Sequence, residues 1–400
     1  MTTNTLSIDL KNPDLYVDAV PHAVFDQLRR DDPVHWNPES DGPGFWALTR
    51  YEDIVEVSRN PALFSSAYEN GGHRIFNENE VGLTGAGEAA IGIPFISVDP
   101  PVHTQYRKFI MPAVSPGRLA GIEGRIRERC LALIDKIPLG EAVDMVPLLS
   151  APLPLLTLCE LFDLPTAMWT DLYHWTNAFV GEDDPDFRQS PRSDDGDPGR
   201  VHDLRARAVR HPPRQPRRGS RHPARDDGSE RRAGGVPRVP RQHDPRAGGG
   251  ANETTRNSLS HTMTAFAAHP EQWDAVRAEP ELLRNGVREM VRHASPVMHM
   301  RRTAMADTVV GGRPIRKGDK VVMWYIAANR DESVFPDPHR FDIRRGNIQH
   351  LGFGTGQHVC VGSRLAEMQL RVAFGILAER VSQFTLLAPR AASGRTLSTG

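Results

Sequence analysis

Residues 188–250 limit what this chain can fold into. Across that run there is no Ile, Phe, Met, Tyr, Trp or Lys and a single leucine, while Arg, Pro, Gly, Ala and Asp abound. A segment so poor in apolar side chains cannot bury enough surface to offset the entropy of ordering it. Any core must therefore come from the blocks on either side. Two readings of the run stay open: a basic disordered linker, or the product of a GC-rich gene translated out of frame. The abrupt loss and return of ordinary composition favours the second, because so long a structureless insertion inside a domain is uncommon.

Both flanking blocks carry helical periodicity. Ile122, Ile126, Cys130, Leu131, Leu133 and Ile134 fall mostly on one face. Leu259, Met263, Phe266 and Ala267 form a second stripe, stopped by His269 and Pro270. A further helix is expected from about Glu281 to Arg292, ending ahead of Ser295 and Pro296. Short strands are expected at Gly44 to Leu48 and around the turns at Gly311-Gly312 and Lys317-Gly318, where β-branched runs predict a small antiparallel sheet. The fold class is thus mainly α with a small β-sheet subdomain. The last residues, 388–400, read APRAASGRTLSTG and form an atypical tail.

Composition excludes several classes of function. The formal net charge is -1, so no global basic field argues for nucleic acid. Cys130, Cys159 and Cys360 lie far apart, which suits a reducing cytosol better than a disulfide framework. The amino terminus has no cationic segment followed by an apolar stretch, and nowhere do 18 apolar residues run together. The expectation is a cytoplasmic protein with no membrane anchor.

One cysteine stands in an unusual setting. From His350 to Leu370 the chain reads HLGFGTGQHVCVGSRLAEMQL, a glycine-rich loop followed by a run with helical spacing. That arrangement puts the Cys360 sulfur near a helix amino terminus, where free N–H groups and the macrodipole favour a thiolate. Gly354, Gly356 and Gly362 let the backbone turn tightly and approach a flat ligand. A buried inert cysteine would account for the helix but not the glycines. A zinc site lacks a second cysteine at ligand spacing. A nucleophilic cysteine with His358 as base remains possible, with poor geometry for groups two residues apart.

The pattern F-G-x-G-x-H-x-C-x-G, carried by Phe353, Gly354, Gly356, His358, Cys360 and Gly362, resembles the haem-ligand signature of the cytochrome P450 superfamily. The resemblance covers about residues 17–187 and 251–387. It implies one haem-thiolate domain over residues 1–400, with haem b (iron protoporphyrin IX) as cofactor and Cys360 as axial iron ligand. His103, Arg107, Arg302 and His358 are then the candidates for holding the haem propionates, with Phe353, Gly354 and Gly362 shaping the ligand loop. Each of those charges alone is more often a solvated surface group.

Two further motifs fit the same family. Glu289 and Arg292, three apart on a helix, usually make a surface pair of little value. The resemblance instead implies a core ion network supporting the cysteine loop, with Arg340 as third partner. Ala251 to Thr255 reads ANETT, either a helix start capped by Asn252 or Thr254 or, by resemblance, the stretch over the haem where Glu253 and Thr254 gate protons. The family's usual glycine is replaced by Ala251.

The implied activity is O2-dependent monooxygenation, hydroxylating or epoxidising an apolar small molecule such as a terpenoid, a sterol or an alkyl chain. Pro296 to Met300 is expected to line the pocket. Electrons would come from a ferredoxin and its ferredoxin reductase, docking where Arg364, Arg371 and Arg107 meet an acidic surface. The competing readings are a peroxygenase using H2O2 and a non-catalytic haem-binding protein.

Overall fold

In the computed structural model the described residues are 8–40, 42–75, 94–180 and 246–387. Most of the compositionally anomalous run, up to residue 245, and the tail 388–400 lie outside them. Residues 246–250, the end of that run, are helical.

Among the described residues the α-helices of nine or more residues are α1 (His22–Asp31), α2 (Tyr51–Arg59), α3 (Val102–Ile110), α4 (Pro116–Ile134), α5 (Pro152–Leu161), α6 (Trp169–Val180), α7 (Arg246–Ala268), α8 (Pro270–Ala278), α9 (Leu283–Ala294) and α10 (Ser363–Arg380). Three of them, α4, α5 and α8, open on proline, whose missing N–H is an orphan at a helix start anyway. The α9 helix stops because Ser295 adopts a left-handed conformation at φ 40° and Pro296 follows. Gly286 in that helix is needed for close approach, since a Cβ there would lie 2.7 Å from Ile343 Cδ1.

Among the described residues there are seven strands: β1 (Val34–Asn37), β2 (Phe45–Leu48), β3 (Phe64–Ser65), β4 (His299–Ala304), β5 (Thr308–Val310), β6 (Arg313–Ile315) and β7 (Lys320–Trp324). Five form one sheet in the order β1-β2-β7-β4-β3, and β5 pairs with β6 as a hairpin. The antiparallel pairs match expectation. The parallel pairing of β2 with β7, joining strands far apart in sequence, was not foreseen.

The α7 helix runs through the middle, packed against α5, α6, α8, α9 and α10, while α10 also packs on α4. Ile122, Ile126, Leu259, Phe266, Trp273, Met290 and Phe374 belong to this largest core and are nearly or fully buried. Its centre is aromatic: the Phe266 ring meets Trp273, Phe341 and Phe374 at 4.9, 5.3 and 5.5 Å. On the sheet, the two-residue period turns Met300 toward the same core as Val321 and Met323. Arg302, two residues on and paired with Val321, shares that face.

Candidate active site

The cysteine loop is built by short-range bonds. The Cys360 N–H donates to the Phe353 carbonyl at 2.8 Å and the Gly354 N–H to the Leu351 carbonyl at 2.8 Å. Gly354 and Gly356 have φ of 64° and 68°, a region that side chains with a Cβ resist. At Gly356 a Cβ would also come within 2.4 Å of the Ser58 carbonyl, so α2 and the loop could not close. Phe353 packs on the helical core, and Gly362 precedes the first residue of α10.

Cys360 is exposed to a water-sized probe, yet protein crowds it closely. Burial pushes its thiol pKa up, against the N–H groups of Gly362 and Ser363 and the charge of Arg107, which lower it. The helix terminus therefore assists the thiolate, as expected, but desolvation outweighs it.

Four predicted anion-binding residues converge beside this loop. His103, on α3, and His358 have ring centroids 4.1 Å apart. Arg107, one turn further along α3, donates to the Val359 carbonyl at 2.6 Å and feels the Cys360 charge. Arg302 is buried on β4; among the described residues its guanidinium donates to the Arg301 carbonyl at 2.7 Å and meets no carboxylate within ion-pair reach. Burial, then Arg302, His103, His73 and Arg107, hold His358 far below the usual imidazole range. Burial and Arg107 also lower His103. Two atoms in the group, His103 Nε2 and His358 Nδ1, are buried without a protein partner.

The charges of Arg302 and Arg107 and the unpaired nitrogens of the two neutral imidazoles are costly when left without partners. A ligand with two carboxylates, placed against a cysteine sulfur, fits both the charge and the orphaned nitrogens. The residues present thus suit a haem.

His73 belongs to the same group but was not anticipated; its Nδ1 lies 2.6 Å from Ser97 Oγ. Nothing in its sequence context marks it.

Glu253 and Thr254 lie inside α7, which starts at Arg246, so neither Asn252 nor Thr254 caps the helix. Asn252 instead donates to Thr176 Oγ1 at 2.9 Å, tying α7 to α6. Glu253 is buried and paired with Arg256 one turn on. Burial raises its pKa, with Arg256 opposing. Thr254 is half-buried beside it.

The Glu289–Arg292 pair is no surface bridge. Both side chains are fully buried, joined by bonds of 2.6 and 2.7 Å. The third side chain is Arg345, whose Nε lies 3.2 Å from Glu289 Oε1. Arg340, the expected partner, is exposed and contributes only its carbonyl to Arg292 at 3.2 Å. The chain's route through the proline-rich meander turns Arg345 inward instead.

Arg292 also donates to the Asn329 carbonyl at 2.6 Å. The Asn329 amide donates to Ser295 Oγ at 2.8 Å, and its oxygen accepts the Leu351 N–H at 2.7 Å. The network thus reaches the root of the cysteine loop through Asn329.

On the cysteine side a concavity of about 800 Å³ is lined by Arg107, Lys108, Met111, Val359 and Arg364 among others. Arg371 is not part of it; that side chain pairs with Glu123 at 2.7 Å and faces a separate groove. Of the expected pocket-lining run, Pro296, His299 and Met300 are buried, and Val297 and Met298 are half-buried.

The comparisons with known proteins bear on this geometry directly. The family model for cytochrome P450 matches residues 248–392. Linalool 8-monooxygenase from Pseudomonas putida is 61% identical over 384 residues, covering 94% of this chain and 93% of its own. This chain belongs to the cytochrome P450 family. Steroid C26-monooxygenase from Mycobacterium bovis is 31% identical, with 93% and 86% covered. Among solved structures, a Mycobacterium marinum cytochrome P450 in complex with pseudoionone superposes with a TM-score of 0.76 at 29% identity, over 94% of this chain and 92% of that one. As a P450 the protein is a haem-thiolate monooxygenase that uses O2, an electron donor and an apolar substrate. No helix among the described residues is long and apolar enough to cross a membrane.

Proposed function

We propose that this P450 hydroxylates an acyclic terpenoid, with linalool as the reference substrate. The observation that carries the site is the buried cationic group beside Cys360, with orphaned nitrogens on His103 and His358. In this reading Cys360 would ligate the iron of haem b, and Arg302, His103, His358 and Arg107 would hold its propionates. Phe353, Gly354 and Gly362 would let the loop approach the bound haem. The bound haem supplies reductive activation of O2, which no amino-acid side chain can provide.

The protein's own contribution is to position, dehydrate and supply protons. Glu253, buried and paired with Arg256, and Thr254 are neighbours on α7. In this reading the Glu253 carboxyl and the Thr254 hydroxyl would supply protons to the chemistry of the bound haem. The substrate class is supported by the high identity to a linalool 8-monooxygenase over nearly the whole chain. The pseudoionone bound by a structural relative is also an unsaturated apolar molecule.

The electron donor is read as a ferredoxin served by a ferredoxin reductase. Arg107, Lys108 and Arg364 offer a basic rim around the concavity on the cysteine side, with Met111 as an apolar contact.

The test is turnover of the haem-loaded protein with linalool, a ferredoxin, its reductase, NADH and labelled O2. One labelled oxygen atom in a hydroxylated linalool is the expected product. Haem-loaded protein that consumes electrons but oxidises only steroids or fatty acids would overturn the substrate assignment.

A further inference from the structure

Behind His358 lies a hydrogen-bonded chain that no catalytic role has yet absorbed. Ser66 is fully buried, and its Oγ lies 3.1 Å from His358 Nε2 and 3.2 Å from Asp99 Oδ1. The same Asp99 oxygen accepts the Ser66 N–H at 3.0 Å, and the other oxygen accepts the Ser65 hydroxyl. Ser65 is itself fixed by Asn70, whose amide donates to its oxygen at 2.9 Å, and by the Ala67 N–H at 3.0 Å. The Ser66 N–H and the Ser65 hydroxyl give the carboxylate two settled donors; the single Ser66 hydroxyl proton goes to Asp99 when His358 carries its proton on Nε2, and to His358 Nε2 when the ring carries it on Nδ1, the state that can donate to a carboxylate.

We propose that Asp99 and Ser66 are positioning residues for His358. Through one shared hydroxyl they fix the imidazole ring, and they place a negative charge behind the residue that meets a haem carboxylate. This rests on the reading of His358 as a propionate holder.

Three observations carry it. His358 Nε2 has its partner in Ser66, whereas Nδ1 is buried with none, so one edge of the ring is anchored and the other is left for a ligand. Asp99 is also the carboxylate whose field reaches both His103 and Arg302, so it sits among the same cations. Finally, Ser66 and Asp99 come from separate segments, one just after β3 and one just before α3. Their bond clasps the two segments that frame the cation group.

Without the Ser66 hydroxyl, the ring's inner nitrogen is buried unpaired and its orientation is held only by packing against His103. A hydroxyl of any kind at that position should restore the anchor. Removing the Asp99 charge while keeping an acceptor should leave the ring in place but alter the electrostatics the iron feels.

The experiment uses haem-loaded wild type and the variants H358A, S66A, S66T and D99N. It measures haem transfer to excess apomyoglobin and the reduction potential of the bound haem. H358A and S66A are expected to release haem about tenfold faster than wild type, roughly the loss of one buried hydrogen bond. S66T should stay within about twofold of wild type, and D99N should raise the potential, since a negative charge near the haem is removed. The S66A/D99N pair should release haem no faster than S66A alone, because both act through one link.

The relay is overturned if H358A loosens haem while S66A does not, if S66T behaves like S66A, or if the D99N potential matches wild type. If H358A itself releases haem at the wild-type rate, the propionate reading of His358 falls instead.

Discussion

The link from the buried ion network to the cysteine loop passes through one side chain, and its removal has a calculable effect. Asn329 is fully buried; its amide donates to Ser295 Oγ at 2.8 Å and its oxygen accepts the Leu351 N–H at 2.7 Å. In Asn329→Ala the Leu351 N–H loses its partner inside the protein, which costs about 1–3 kcal/mol. The lost bond to Ser295 adds about 1 kcal/mol, since that hydroxyl keeps its own acceptor in the Arg292 carbonyl. The sum is about 3 kcal/mol, a large share of the roughly 5–15 kcal/mol that separates native from unfolded states. Leu351 is the root of the ligand loop, so haem retention should suffer together with global stability. Urea unfolding of the holoprotein, followed by far-ultraviolet circular dichroism and by Soret absorbance, measures both. A fall of less than about 1 kcal/mol, with unchanged haem retention, refutes the claim that Asn329 couples α9 to the loop.

Other expectations follow from single residues. Gly356→Ala forces a Cβ toward the Ser58 carbonyl in a left-handed conformation, so the purified variant should bind little haem; normal haem content would contradict the close-approach account. Asp53 is buried with its pKa raised from 3.8 to about 6, chiefly by desolvation. The unfolded chain ionises it first, so wild-type stability should fall as pH rises from about 4 to 6 and level off above, by at most about 3 kcal/mol. Asp53→Asn should remove that slope and be the more stable protein at neutral pH, as pH-resolved urea midpoints would reveal; equal slopes would rule the assignment out. Thr254→Ala should load haem normally yet form hydroxylated product on the order of 10²-fold more slowly, with electrons diverted to peroxide, in an assay of product against NADH consumed. An unimpaired yield would remove Thr254 from the proton path.

Local spacing made much of this legible. The ligand loop and the start of α10 are contiguous in sequence, and Glu289 and Arg292 are three apart on a helix whose apolar face is regular. The helix stops at Pro270 and Pro296 were equally plain, since proline acts on its own neighbours.

What stayed hidden depends on long-range placement. Arg340 and Arg345 are both arginines near Phe341, and only the path of an aperiodic, proline-rich meander decides which turns inward. A parallel pairing such as β2 with β7 has no local signature, because the strands are joined by most of the chain. Ser66, Asp99 and His358 come from three distant segments, so their bonding could not be read from any window of sequence. At Cys360 the N–H groups of a helix terminus that favour a thiolate are visible in sequence, whereas the burial that opposes them is not.

The most direct measurement is the optical spectrum of the reduced, carbon monoxide-bound protein, compared between wild type and Cys360→Ser. The account predicts a strongly red-shifted Soret band in wild type that vanishes in the variant, along with product formation. A Soret band at the same position in both would contradict sulfur ligation by Cys360 and the site built around it.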